Sequence, residues 1–230
     1  MQKQKTLFKI AGLLAIFGGV VCYVSDHFLR GGIAPGPAID IVEFLPTVPF
    51  EPVLWGSILG YAALPLYLLG LWPLYRALEP AGRLLASVPV VLLGYTFTLF
   101  PGYHYSAVLY SLGLRTAAES SNGLLTEQLM QVHESALYVI MFPMATASIW
   151  IAILILSGKT LYARWMAFIS PLLLPVVSPL IKKMIPSPWG AYVIPGSGTI
   201  VLILFIALAV WVSWPSPKRY IGGDPKVTIE

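Results

Sequence analysis

In 230 residues the chain carries 57% hydrophobic and only 10% charged side chains, with a formal net charge of +4. That is too little polar surface for a soluble domain, so the composition predicts an integral membrane protein. The basic residues are dispersed, which excludes nucleic acid as a partner; the lone cysteine, Cys22, excludes an intrachain disulfide or a cysteine cage for a metal.

Runs of roughly 20 apolar residues recur, each long enough to cross a hydrocarbon core of about 30 Å. They predict an all-α polytopic bundle of six transmembrane helices forming one domain. The first, about 7–27, follows Lys3, Lys5 and Lys9. No small-x-small cleavage site follows it, so it reads as a retained helix rather than a signal peptide. Within it Cys22 is expected to pack as a small hydrophobe. Ala11, Ala15 and Gly19 offer a close-packing edge, as do Gly56 and Gly60 in the second helix, about 52–75. Between them, residues 31–51 form a Gly/Pro-rich loop with Asp40, Glu43 and Glu51, in which 39–45 is predicted to lie on the surface as a short helix.

Trp55 and Trp72 serve as interfacial anchors near the ends of the second helix. The third helix is predicted over about 84–112, and Thr116-Ala117-Ala118-Glu119 reads as a capping box for a turn outside the membrane. Ser120-Ser121-Asn122-Gly123 breaks the chain before the fourth helix, about 124–156. A fifth, about 161–181, carries Pro171, Pro175 and Pro179 and is expected to kink. A second Gly/Pro-rich loop, 182–198, contains Trp189 and Tyr192 and precedes the sixth helix, about 199–214.

Six crossings put both termini on one side. That side then holds Lys3, Lys5, Lys9, Arg76, Arg83, Lys159, Arg164, Lys218, Arg219 and Lys226, against Arg30, Arg115, Lys182 and Lys183 on the other. The positive-inside rule makes both termini cytoplasmic, in a plasma membrane of bacterial type. Both Gly/Pro-rich loops then face outward and are placed to cap a site.

The most informative stretch is Gln131-Val132-His133-Glu134-Ser135, a polar knot inside an apolar helix. Ionisable groups at such depth are costly and point to function. At 1.5 Å per residue, His133 and Glu134 lie roughly 15 Å below the outer surface, and His104 lies about 30 Å up from the inner end of its helix. Asp26 and His27 fall at the outer end of the first helix. All three histidines and two carboxylates therefore share the outer half. Glu127, Gln131, Glu134 and Tyr138 share one helix face, whereas His133 points about 100° away.

Three chemistries suit these groups. In the first, Glu134 acts as a buried general acid with His104, His133 and Asp26 as partners. Tyr103, Tyr138, Gln131 and Trp189 would line the substrate, and aromatic faces would steady a cationic intermediate. That set fits isomerisation or cyclisation of a hydrophobic, lipid- or isoprenoid-like small molecule drawn from among the membrane lipids, with no cofactor. In the second, His104, His133, Asp26 and His27 hold zinc for hydrolysis of a lipid. In the third, of another class, the protein is a proton-coupled carrier or a non-catalytic membrane binding protein. Each residue also has an ordinary structural role open to it, as a satisfied histidine, a helix-end carboxylate or an interfacial tyrosine.

The opening half resembles uncharacterised small bacterial multipass membrane protein families. The resemblance rests on a Gly-containing first helix ending in Ser25-Asp26 and on Leu64-Pro65-Leu66-Tyr67-Leu68-Leu69-Gly70 in the second. It implies a multipass fold and no particular activity.

Overall fold

The computed structural model describes residues 2–29, 48–170 and 197–214. Among these the regular elements are all helical: α1 (Gln2–Leu29), α2 (Phe50–Leu78), α3 (Arg83–Glu119), α4 (Gly123–Leu156) and α5 (Ser197–Val212). Short 3-10 turns cover Glu79–Ala81 and Arg164–Ile169. The helices α1 to α4 are each long and apolar enough to cross a membrane; α5 is apolar but shorter.

From α1 to α4, each helix runs antiparallel to the one before it. Gly70 of α2 lies against Ala15 of α1, Gly94 of α3 against Leu71 of α2, and Gly113 of α3 against Leu129 of α4. The fifth helix runs antiparallel to α1, with Val210 at Gly12 and Ile203 at Gly19. Lipid tails are as apolar as leucine, so helix contact in a membrane rests on close packing rather than on hydrophobic burial. The interface of α1 with α2 shows how close. A Cβ on Gly56 would lie 2.6 Å from the backbone nitrogen of Leu29, an atom that cannot swing aside.

One end of the bundle gathers the charges. There Lys9 Nζ sits 4.8 Å above the Trp214 ring, and Glu79 pairs with Arg76 at 2.5 Å and Arg83 at 3.7 Å. At the opposite end the Arg115 guanidinium donates to the carbonyl of Val48. The third helix continues to Glu119, seven residues past its predicted end, so Thr116 to Glu119 form its last turn instead of a capping box. The cap lies at Asn122, whose side chain accepts from the Leu125 amide at 3.1 Å and starts α4.

The opening of the predicted fifth helix is corrected. Residues 161–170 hold a turn and a 3-10 helix, because the Leu161 amide donates to the Ala77 carbonyl at 2.8 Å and Ala163 is extended. Its remaining residues lie outside those described, as do the surface segment 39–45, Trp189, Tyr192, Lys182 and Lys183.

Tyr162, in that turn, is buried and stacks on Phe205 at 5.5 Å and 8°. Burial pushes its phenol up, and the hydroxyl has no hydrogen-bond partner among the described residues. A buried, unpaired hydroxyl costs about 1–3 kcal/mol. Tyr162→Phe keeps the stack and removes the orphan, so it should raise the thermal midpoint in detergent; a lower midpoint would show that the hydroxyl is paired in the membrane.

Candidate functional site

Four helices build a polar cluster at the end of the bundle away from the charged turns. On α1, Cys22, Ser25 and Asp26 stand at helical spacings of three and four, hence on one face. They meet His104 from α3 and Thr199 from α5. Gly60 of α2 makes the meeting possible. A Cβ there would fall 2.1 Å from His104 Nδ1 and 2.6 Å from Ser25 Oγ.

His104 is only 6% exposed, and its hydrogen bonds set its tautomer. Ser25 is fully buried and its hydroxyl donates to the Gly56 carbonyl at 2.6 Å. That uses its single proton, so toward His104 Nδ1, 3.3 Å away, Ser25 Oγ can only accept. Nδ1 therefore carries the N–H, and Nε2 of the neutral ring turns a lone pair toward Asp26. Asp26 Oδ1 lies 3.7 Å from Nε2, too far for a direct hydrogen bond. The other carboxylate oxygen, Oδ2, accepts from Thr199 Oγ1 at 2.6 Å, which fixes the plane of the group. The Cys22 sulfur completes the cluster: it, a carboxylate oxygen of Asp26 and a ring nitrogen of His104 all lie within 4.8 Å of one another.

The histidine of the polar knot belongs to a second cluster. His133 Nε2 pairs with the Tyr103 hydroxyl at 2.9 Å, and Tyr110 stacks on the imidazole at 4.5 Å and 11°. Tyr103 adjoins His104 in sequence but points about 100° from it on α3. One helix thus serves both clusters: His104 meets α1 and α2, Tyr103 and Tyr110 meet α4. Glu127, Gln131, Glu134 and Tyr138 do share a face, but it is exposed, Tyr138 by 72%. His27, partly buried, meets Tyr23 edge-on at 4.7 Å.

Of the residues singled out from the sequence, Asp26 and His104 come together, His133 and Tyr103 come together elsewhere, and Glu134, Gln131 and Tyr138 stand outside both clusters. The histidine-based metal set does not assemble among the described residues: the three-donor group takes Asp26 and His104 but neither His27 nor His133. Its third donor is Cys22, expected to be mere packing. The cluster also takes in Ser25, Gly60 and Thr199, none of which the sequence marks as a site residue: Gly60 is expected only to pack, and Ser25 only ends the first helix. One signal was available: Cys22 and Asp26 are four apart, so a thiol and a carboxylate share a helix face.

A family model described as "Family of unknown function (DUF6796)" matches residues 1–214. The chain belongs to that family. The match takes in all the elements that build both clusters, from Cys22 to Thr199. No curated protein and no solved structure matches the chain.

Proposed function

We propose that the protein is an intramembrane enzyme that moves a proton on a hydrophobic, lipid- or isoprenoid-like substrate, in an isomerisation or cyclisation. The observation that carries this reading is the facing of the buried His104 Nε2 and the partly buried Asp26 Oδ1 at 3.7 Å. A lone pair and a carboxyl group held this far apart do not consume each other in a hydrogen bond. A neutral acid and a neutral base also place no net charge in the low-dielectric interior, where charge is costly.

The step balances. His104 Nε2 takes a proton from an allylic carbon while the Asp26 carboxyl delivers its own to the far end of the double bond. An imidazolium and a carboxylate remain, and the proton returns from one to the other across the gap. In this reading the acid is Asp26 rather than Glu134. His133, held by Tyr103 and Tyr110, belongs to the support of α3 and α4. The segregation of basic residues at one end of the bundle supports six crossings with cytoplasmic termini and a site in the outer leaflet half.

Solvent deuterium tests this. Purified protein in nanodiscs, incubated in D₂O with a total membrane lipid extract, should place deuterium on a carbon of one lipid species, read by mass spectrometry. General acid–base groups contribute about 10²–10⁴-fold, so Asp26→Asn and His104→Gln should each reduce incorporation by that order, whereas Glu134→Gln should leave it within about twofold. Undiminished labelling by Asp26→Asn would refute the assignment, and uptake of a solute without labelling would make the protein a carrier.

A further inference from the structure

We infer that Cys22, Asp26 and His104 form a site for one zinc-class divalent ion, and that the ion shuts the proposed enzyme off by occupying both of its proton-transfer groups. This rests on the preceding section for what is inhibited, but not for the binding itself. Three donors of three kinds converge: a thiol sulfur, a carboxylate oxygen and the lone-pair nitrogen of a histidine. Tetrahedral zinc, with ligand bonds of about 2.0–2.3 Å, sets neighbouring donors roughly 3.3–3.6 Å apart. The 3.7 Å between Nε2 and Oδ1 is close to such an edge, and too long for a hydrogen bond. The sulfur, at up to 4.8 Å, needs an approach of about 1 Å to complete that geometry.

The surroundings fit a metal histidine. Such a ligand characteristically donates its other ring N–H to a fixed acceptor, which sets the tautomer and the plane of the ring. Ser25 does this for His104, itself anchored on the Gly56 carbonyl. Thr199 does the equivalent for Asp26 by donating to Oδ2, while Oδ1 is the oxygen that lies 3.7 Å from His104 Nε2. Charge fits as well. A dication with one thiolate, one carboxylate and a neutral imidazole has no net charge, the cheapest state for a buried site in a membrane.

An independent observation comes from α2. Tyr67 is 1% exposed and its hydroxyl has no hydrogen-bond partner among the described residues. A Cβ on Gly19, three residues before Cys22 on α1, would lie 3.2 Å from that hydroxyl. A buried phenol turned to this edge of α1 and unpaired among the described residues is suited to a water on the fourth coordination position. The thiolate in the donor set selects zinc or cadmium over magnesium or calcium, which favour all-oxygen sites.

Binding as a thiolate must displace the Cys22 proton, so each ion taken up should release at least one proton. Cobalt(II) makes the thiolate visible. Titrated into the wild-type protein in nanodiscs, it should bind one per chain with tetrahedral visible bands and a sulfur-to-cobalt charge-transfer band. Zinc should displace it and magnesium should not. Cys22→Ser should lose the charge-transfer band, and Cys22→Ala should lose saturable binding; with two variants, a folding defect in one leaves the other to decide. Zinc should suppress deuterium incorporation by the wild-type protein, and the fraction suppressed should fall sharply in both variants, whatever rate each starts from. Cobalt binding without the sulfur band, or no saturable binding, would overturn the site. Incorporation that rises with zinc would overturn inhibition and make the ion a cofactor. Failure of the deuterium assay alone would leave the cobalt result standing, so the two ideas fall separately.

Discussion

Gly60→Ala should be among the most damaging single-methyl changes at the described glycines. Alanine is the better helix former by about 1 kcal/mol, so on propensity alone the variant would be stabilised. The new Cβ, however, would lie 2.1 Å from His104 Nδ1 and 2.6 Å from Ser25 Oγ, both well inside contact distance. Neither neighbour is the free end of a flexible chain. His104 is buried in the bundle, and Ser25 is tied to the Gly56 carbonyl. Overpacking of this kind costs about 1–3 kcal/mol, which outweighs the propensity gain, and the imidazole must leave Ser25 and the gap to Asp26. Gly102→Ala is the matched control: it also sits inside α3, but nothing lies within 4 Å of its added Cβ. Thermal unfolding in detergent should show a lower midpoint for Gly60→Ala and an unchanged or higher one for Gly102→Ala. Cobalt uptake should be lost only in the former. If the two variants behave alike, the contact of α1, α2 and α3 around His104 is not as drawn.

That contact also marks how far the sequence could be read. Four long apolar helices followed from composition and run length, because a lipid-spanning segment must be nearly continuous in apolar residues. That Asp26 and His104 fall at the same end of the bundle followed too, since rise per residue is fixed. What could not follow was the angular position of each helix about its axis relative to its neighbours. The Glu127–Gln131–Glu134–Tyr138 stripe was correctly placed on one face, yet spacing says nothing about whether a face turns inward or outward. Glu134 looked like the centre because it sat deepest in an apolar run, and the structure leaves it exposed. Cys22 looked inert because a lone thiol in an apolar run usually is, and it lies beside the carboxylate and the imidazole. Gly60 read as a packing glycine; only the three-dimensional pairing reveals which side chains it lets through.

Ser25→Ala should change which nitrogen of His104 carries the proton, and this is the sharpest test of the cluster's internal logic. The Ser25 hydroxyl gives its one proton to the Gly56 carbonyl at 2.6 Å and so must accept from Nδ1 at 3.3 Å. In the wild-type protein, nitrogen-15 spectra of labelled histidine should therefore show His104 as the Nδ1–H tautomer. His104→Gln would assign the signal among the three histidines. Alanine removes both bonds: the Gly56 carbonyl keeps its place in the α2 ladder, but the ring N–H loses its acceptor at about 1–3 kcal/mol. The ring can recover part of that loss by moving its proton to Nε2 and donating toward Asp26, so the Nδ1–H signal should give way to Nε2–H. A lone pair would then no longer face the carboxylate, and both deuterium transfer and cobalt affinity should fall although neither Asp26 nor His104 has been touched. A purely structural serine would lower the melting midpoint and leave the tautomer as it was. A wild-type spectrum already showing Nε2–H would mean that Nε2 donates to Asp26 across the gap, and it would remove the acceptor on which both the proton-transfer and the metal proposals depend.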